Sequence, residues 1–288
     1  MITMHSILRF FTDLNRKNAT LLVGGVMVLG LVIITIFAPQ IELHDPTYMQ
    51  SANQFIAPCA EYPFGTDNLG RCIFSRVIEG ARISLVTAVL VVLFGAVLGS
   101  AIGLVAGFAG GKVDGILMRL TDVFLAFPTI VFALAASAVL GTGTINLIIA
   151  LMCIHWTRYA RLVRGEVVLL RSEEFIESAR AIGNSSARIA FRYLIPSVAS
   201  KVIVMMSLDL GAVILFCSSL SFLGLGAQPP SPDWGAMISD GRDYLRFAPW
   251  MSFFPGLAIA ISAVGFNLLG DGIRDLADPR MREHAVME

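Results

Sequence analysis

Residues 19–38 form a run of 20 positions without a charge, residues 83–111 carry none, and residues 123–157 continue uncharged for 35. A helix rises 1.5 Å per residue, so about 20 apolar residues cover the roughly 30 Å of hydrocarbon in a bilayer. A chain of this length cannot hide several such runs in one soluble core, and it folds as a membrane protein. Composition agrees: 56% of the 288 residues are hydrophobic and 15% charged, against a charged fraction near 25% in soluble domains. The formal net charge is zero, which gives no basis for a nucleic-acid partner.

The runs set the expected architecture, an all-α membrane protein with about six transmembrane helices. The stretch 123–157 is too long for one span, and Gly141-Thr142-Gly143 divides it into spans near 119–140 and 145–161. The others are 19–38, a span starting at 83, 202–225 and 249–270. No small-x-small cleavage pattern follows the first run, so it reads as a retained helix rather than a signal peptide. Around these spans lie an N-terminal segment 1–18, which suits either a helix on the membrane surface or a frayed tail, a polar loop 39–82, and a tail 271–288. Residues 83–270 form a core of five helices. Within it Gly95, Gly99, Gly103, Gly107 and Gly111 recur every four residues. Four residues turn a helix by 400°, so these glycines form one slowly drifting groove into which another helix packs. Gly110-Gly111-Lys112 is no phosphate-binding loop, because Val113 follows the lysine and Ala106 stands where the first glycine belongs.

One stretch between the runs, 173–196, is polar and charged and must lie in water. Phe175, Ile176, Ala179 and Ile182 recur at helical intervals, and Gly183 ends that helix before Asn184 or Ser185 caps another. With nothing of its own chain evident beneath the apolar stripe, the element suits docking into a groove on a partner, the plain alternative being a surface hairpin between two spans. Placing 173–196 inside puts 16 Lys and Arg on the inner side and 5 on the outer. The positive-inside rule therefore places this segment and both termini in the cytoplasm.

The same segment resembles the cytoplasmic coupling loop, the "EAA" motif, of permease subunits of bacterial ATP-binding cassette importers. It has Glu177-Ser178-Ala179, Gly183 four residues after Ala179, and Ile195-Pro196. Ser178, Tyr193 and Ile195 depart mildly from the usual residues. Three further stretches resemble the dipeptide, oligopeptide and nickel branch of these permeases. The first is Gly65-Thr66-Asp67-Asn68-Leu69-Gly70-Arg71 with Ser75-Arg76 and Gly80-Ala81-Arg82-Ile83-Ser84-Leu85, where Cys72 replaces the usual Asp. The second is Leu220-Ser221-Phe222-Leu223-Gly224-Leu225-Gly226 with Pro229-Pro230 and Asp233-Trp234-Gly235. The third is Asn267-Leu268-Leu269-Gly270-Asp271-Gly272-Ile273-Arg274-Asp275, followed by Asp278-Pro279-Arg280. The resemblance covers about 63–282 and implies the type I importer permease fold in the bacterial inner membrane.

It also implies partners: a second permease of similar fold, two cytoplasmic cassette ATPases, and an external substrate-binding protein. Phe175, Ile176, Glu177, Ala179, Arg180 and Gly183 would form the ATPase-coupling site. The chain itself would be no enzyme and bind no cofactor, ATP and Mg belonging to the ATPases. The cargo stays open between nickel or a metal chelate and di- or oligopeptides.

Two classes compete with an ATP-driven permease. An ion-coupled secondary transporter or channel subunit usually carries several intramembrane ionisable groups, whereas here only Asp209 lies well inside a span. An intramembrane enzyme would need a catalytic constellation, and His5, His44, His155 and His284 are scattered with no HExxH or GxSxG. Asp209 is the candidate pathway residue, with Met205 and Met206 one turn before it and His155, beside Trp156, as a further candidate. An acidic residue there resembles the nickel-importing permeases, with soft sulfur nearby. An aspartate bonded to a neighbouring helix, or one meeting a peptide's amino group, fits the sequence as well. Cys59 and Cys72 share the outer loop, where a bridge or two free thiols are both allowed.

Overall fold

The computed structural model describes residues 4–277, with side-chain surroundings for 19–276. Residues 1–3 and the tail 278–288, with Asp278-Pro279-Arg280 and His284, lie outside the described residues, and the surroundings of segment 1–18 are likewise not described. All regular secondary structure among the described residues is helical, apart from an isolated bridge between Thr66 and Cys72. In order they form α1 (Met4–Ile36), α2 (Ala38–Ile41), α3 (Ile73–Ala109), α4 (Gly111–Leu125), α5 (Thr129–Leu140) and α6 (Thr144–Leu170). These are followed by α7 (Glu174–Ala181), α8 (Ser186–Ile189), a π-helical turn (Ala190–Leu194), α9 (Ile195–Phe222), α10 (Trp234–Gly241) and α11 (Trp250–Ala277).

Among the described residues four helices are long and apolar enough to cross a membrane: Ala19–Ile36 of α1, α3, the continuous Ser186–Phe222, and Trp250–Leu276 of α11. A fifth span arises if α4 and α5 are taken together, but they are bent by 85°. This corrects the expected straight span 119–140. Proline has no N–H to continue a helix and disfavours helical backbone before it, and Pro128, at φ −56° and ψ 130°, makes the break. The span expected at 145–161, α6, runs through to Leu170 rather than ending near 161. Arg158, Arg161, Arg164 and Glu166 keep it from being as apolar as the others. The helix expected to start at 83 starts at Ile73. Its first turns carry the charges Arg76, Glu79 and Arg82 ahead of the uncharged run.

The glycine row explains how polar α6 is held. Cβ atoms added to Gly99 and Gly103 would fall 2.2 Å from the Trp156 carbonyl oxygen and 2.5 Å from that of Ala160, and one on Gly107 2.8 Å from Val167 Cβ. The two helices therefore run parallel with their backbones almost touching, as small residues allow. Gly111 departs from the row: it opens α4, and a Cβ there would meet nothing within 4 Å. The main core gathers Leu85, Val91 and Val92 of α3, Leu147, Leu151 and Tyr159 of α6, Ile214 and Leu220 of α9, and Phe266 of α11.

The sequence phrases of the segments 39–82 and 226–235 build a cap at the end of the bundle where α3 begins. Asp67 Oδ1 accepts from the N–H groups of Leu69 (2.8 Å) and Arg71 (2.9 Å), and its Oδ2 accepts from Arg71 Nε at 2.6 Å. Buried Arg76 donates to the carbonyls of Pro46 (3.2 Å) and Pro230 (3.3 Å), so it ties two outer loops to α3. Asp233 caps α10 by accepting from the N–H of Gly235 at 2.9 Å, and Trp234, 1% exposed, donates from Nε1 to the Val77 carbonyl at 2.9 Å. These residues are architectural. Cys59 and Cys72 are free thiols, the first exposed and the second buried at the start of α3, so the allowed bridge is not formed. Cys59 Sγ instead accepts from the Tyr62 N–H at 3.4 Å.

Candidate functional site

The charged segment folds as a hairpin of short helices. Glu174 and Glu177 lie in the first turn of α7 and Arg180 in its last, the arrangement that complements a helix dipole. Gly183 adopts φ +82°, and its N–H bonds to the Arg180 carbonyl at 2.9 Å while that of Asn184 reaches back to Ala179 at 3.2 Å. Such a left-handed closing residue is where glycine costs least. Ser185 then caps α8, its side chain accepting from the Arg188 N–H at 3.3 Å.

The apolar stripe of α7 is divided, which corrects the expectation that nothing of this chain lies beneath it. Ile176 (0% exposed) and Ala179 (3%) are buried against Val163 and Val167 of α6, Ile189, Leu194 and Val198. They fasten the hairpin to its own bundle. What remains open is Phe175 at 45%, Ile182 at 79% and Phe191 at 73%, beside exposed Glu177 and Arg180. Phe191 had carried no signal of its own in the sequence.

Inside the bundle the structure brings together two residues 54 positions apart. Asp209, 5% exposed, sits with Oδ2 2.8 Å from Nε2 of His155. The same oxygen accepts from Tyr159 Oη at 3.1 Å, and Oδ1 accepts from an Arg158 guanidinium nitrogen at 3.1 Å. Both oxygens of the carboxylate are thus supplied by α6. Met205 and Met206 do not join it: they pack against the main core, and Met206 also lines an apolar groove of about 460 Å³ between α3 and α9. Among the described residues no group of three His, Cys, Asp or Glu could hold a metal ion.

Arg158, Tyr159 and the further charges of α6 were not singled out from sequence. Arg161 pairs with Asp122 at 2.6 Å, Arg164 grips Asp114 through two bonds of 3.0 and 2.6 Å, and Lys201 pairs with Glu166. The signal was the i, i+3 spacing of Arg158, Arg161 and Arg164 at the end of an uncharged run. Three arginines on one face require acidic partners from other helices. At the outer end two carboxyls are shifted by their surroundings. Burial and the neighbouring Glu79 push Glu42 up to about 7, and burial raises Asp240 although Arg71 opposes the shift.

The chain is similar to known proteins. A model of the family described as "Binding-protein-dependent transport system inner membrane component" matches residues 99–283. The glutathione transport system permease protein GsiD of Escherichia coli O157:H7 is 44% identical over 268 residues, covering 93% of this chain and 88% of that protein. Its counterpart in Salmonella typhimurium (strain LT2) is 45% identical over 274 residues, covering 95% and 90%. The dipeptide transport system permease protein DppC of Alkalihalophilus pseudofirmus is 40% identical over 267 residues, covering 93% and 88%. In fold the chain is similar to a structure of the inward-facing MetNI methionine ABC transporter, with a TM-score of 0.58 at 17% identity, covering 72% of this chain and 98% of that one. The chain therefore belongs to the binding-protein-dependent transport system inner membrane components, as a multi-pass permease subunit of the peptide and nickel class of ATP-binding cassette importers.

Proposed function

We propose that this chain forms half of the translocation pathway of an ATP-driven importer for short peptides of the glutathione and dipeptide kind. An external binding protein would deliver the cargo, and a second permease of similar fold would supply the other half. Two cytoplasmic ATPases, carrying the ATP and Mg, would seat on the hairpin, with both termini on their side of the membrane. The observation that carries this reading is the hairpin. Its buried half, Ile176 and Ala179, locks it to α6 and α9, while Phe175, Ile182 and Phe191 leave an apolar, charge-flanked surface uncovered. That division suits an element which takes up motion from a partner and hands it to the spans. Phe175, Glu177, Arg180 and Gly183 are its working residues, the last by shaping the turn.

Peptide cargo is preferred to nickel for two reasons. The relatives reported above are named for glutathione and dipeptide transport. Asp209, the residue that pointed toward a metal, has both oxygens taken up by His155, Arg158 and Tyr159. A secondary transporter or channel is disfavoured because the hairpin would then have no partner to serve. The test is uptake by a strain lacking the chromosomal gene, with and without this chain, of radiolabelled glutathione, dipeptide and nickel. Loss of glutathione or dipeptide uptake with nickel unaffected is expected. Loss of nickel uptake alone would overturn the peptide reading.

A further inference from the structure

We propose that Arg158 reads a carboxylate of the cargo inside the translocation pathway, and that Asp209, His155 and Tyr159 are positioning residues behind it. The proposal rests on the peptide reading above and goes beyond it by naming the group that touches the cargo. Depth is the first argument. α6 runs parallel to α3, with Gly95 against His155 and Gly99 against Trp156 and Tyr159. Gly95 and Gly99 straddle the middle of the uncharged run 83–111. Arg158 is therefore near the midplane of the membrane.

Exposure is the second. The Arg158 side chain is 53% exposed, while its partner Asp209 is 4%. A guanidinium turned to hydrocarbon at that depth is among the costliest placements in a bilayer, so this face of α6 borders water or protein. The buried face is closed to cargo, because Asp209 is 5% exposed and both of its oxygens are already engaged by side chains of α6. Only the arginine reaches outward.

Chemistry is the third. A guanidinium carries five N–H donors in a planar fork that matches a carboxylate. Among the described residues one nitrogen of Arg158 is held, by Asp209 Oδ1, and the rest of the fork is open. Asp209 is in turn fixed by His155 and by Tyr159, which is 0% exposed, so the fork is aimed rather than mobile. Arg161, one turn nearer the hairpin, differs: its partner Asp122 is itself 63% exposed, which makes an ordinary surface pair. An arginine neutralised by a buried aspartate binds an anion without trapping it, as a pathway requires.

The test uses the full importer in proteoliposomes, energised with ATP and supplied with saturating binding protein. Initial uptake of glycyl-leucine and of its C-terminal amide is measured for each variant as a fraction of wild type with the same cargo, so that discrimination by the binding protein cancels. Arg158→Gln should cut uptake of the acid at least tenfold and that of the amide less than twofold. Arg158→Lys should restore part of the acid uptake, and Asp209→Asn should shift the acid-to-amide ratio in the direction of Arg158→Gln by a smaller factor. Equal loss of acid and amide overturns the proposal in favour of a contact with the second permease or a structural role, and leaves the peptide reading standing. Unchanged acid uptake in Arg158→Gln overturns it as well. A wild-type importer that carries neither glycyl-leucine nor glutathione fails the peptide reading itself, and the proposal falls with it.

Discussion

Gly99 of α3 approaches Trp156 of α6 so closely that a Cβ on the glycine would lie 2.2 Å from the tryptophan's carbonyl oxygen. No side chain fits there without moving one helix. The three nearest atoms are the Trp156 carbonyl oxygen, the Tyr159 Cβ at 2.6 Å and the Ala160 nitrogen at 2.9 Å, so none gives way cheaply. Gly99→Ala is expected to destabilise the purified protein by about 1–3 kcal/mol, the usual cost of overpacking. Gly115, inside α4 with nothing within 4 Å of an added Cβ, is the control. Gly115→Ala should be neutral or stabilising by up to about 1 kcal/mol, because alanine is the better helix former. Denaturant unfolding in detergent micelles checks both, and equal midpoints for the two variants would contradict the packing argument.

Gly183 is held at φ +82° with no neighbour within 4 Å of an added Cβ. Any penalty there comes from the backbone alone. Gly183→Val should cost about 1–3 kcal/mol of local strain and misalign the hairpin, whereas Gly183→Asn, which tolerates the left-handed region, should cost less. The measurement is transport per ATP hydrolysed by the full importer, at membrane abundance matched to wild type. The ratio should fall for valine and recover with asparagine. A normal ratio for Gly183→Val would remove the hairpin from the coupling route.

The global architecture was legible because it rests on one-dimensional signals. Uncharged runs gave the spans, the four-residue glycine period gave the packing face of α3 though not its partner α6, and Gly183 with Ser185 gave the hairpin turn. What stayed hidden depends on three-dimensional neighbours. Ile176 and Ala179 share one stripe with Phe175 and Ile182, and periodicity alone does not divide a stripe between its own bundle and a partner. Pro128 was visible, but the uncharged residues around it made a straight span look sufficient. Asp209 was noticed by its cost in hydrocarbon, while the donors that offset that cost, Arg158 and Tyr159, lie about 50 residues away on another helix. The motif phrases around Asp67, Asp233 and Trp234 carried a resemblance but no role, and their part in clasping the loops depends on partners far along the chain, such as Val77 for Trp234.

Glu42 gives the outer end a pH dependence of definite sign. Its folded-state value is pushed up to about 7 from 4.5 by burial and by Glu79. Between those values the folded protein holds a proton that the unfolded chain has released, so stability falls as pH rises from about 4.5 to about 7 and is level above. Glu42→Gln keeps the shape without the ionisation. The slope of unfolding midpoint against pH in that window should be shallower in the variant, with the two proteins converging at low pH. A steeper slope, or no difference across the window, would show that the carboxyl is already ionised in the folded state.

The two halves of the α7 stripe make opposite predictions. Ile176 is fully buried among Val163, Val167, Leu194 and Val198, so Ile176→Ala leaves a cavity and should cost about 2–4 kcal/mol where the hairpin joins the bundle. Ile182, 79% exposed, and Phe191, 73% exposed at the rim of the groove between α3 and α9, have far less contact to lose. Ile182→Ala with Phe191→Ala should leave the unfolding midpoint of the isolated permease within about 0.5 kcal/mol of wild type, as exposed substitutions do. In the assembled importer the proposed docking reverses the order, because the exposed pair would be the surface offered to the ATPase. The double variant should weaken ATPase binding in a pull-down from detergent by a factor of ten or more, the size expected when large apolar anchors leave an interface core. Ile176→Ala should bind normally wherever the hairpin remains folded. If the double variant binds and transports like wild type, the ATPase seats elsewhere, and the open half of the stripe is only a surface.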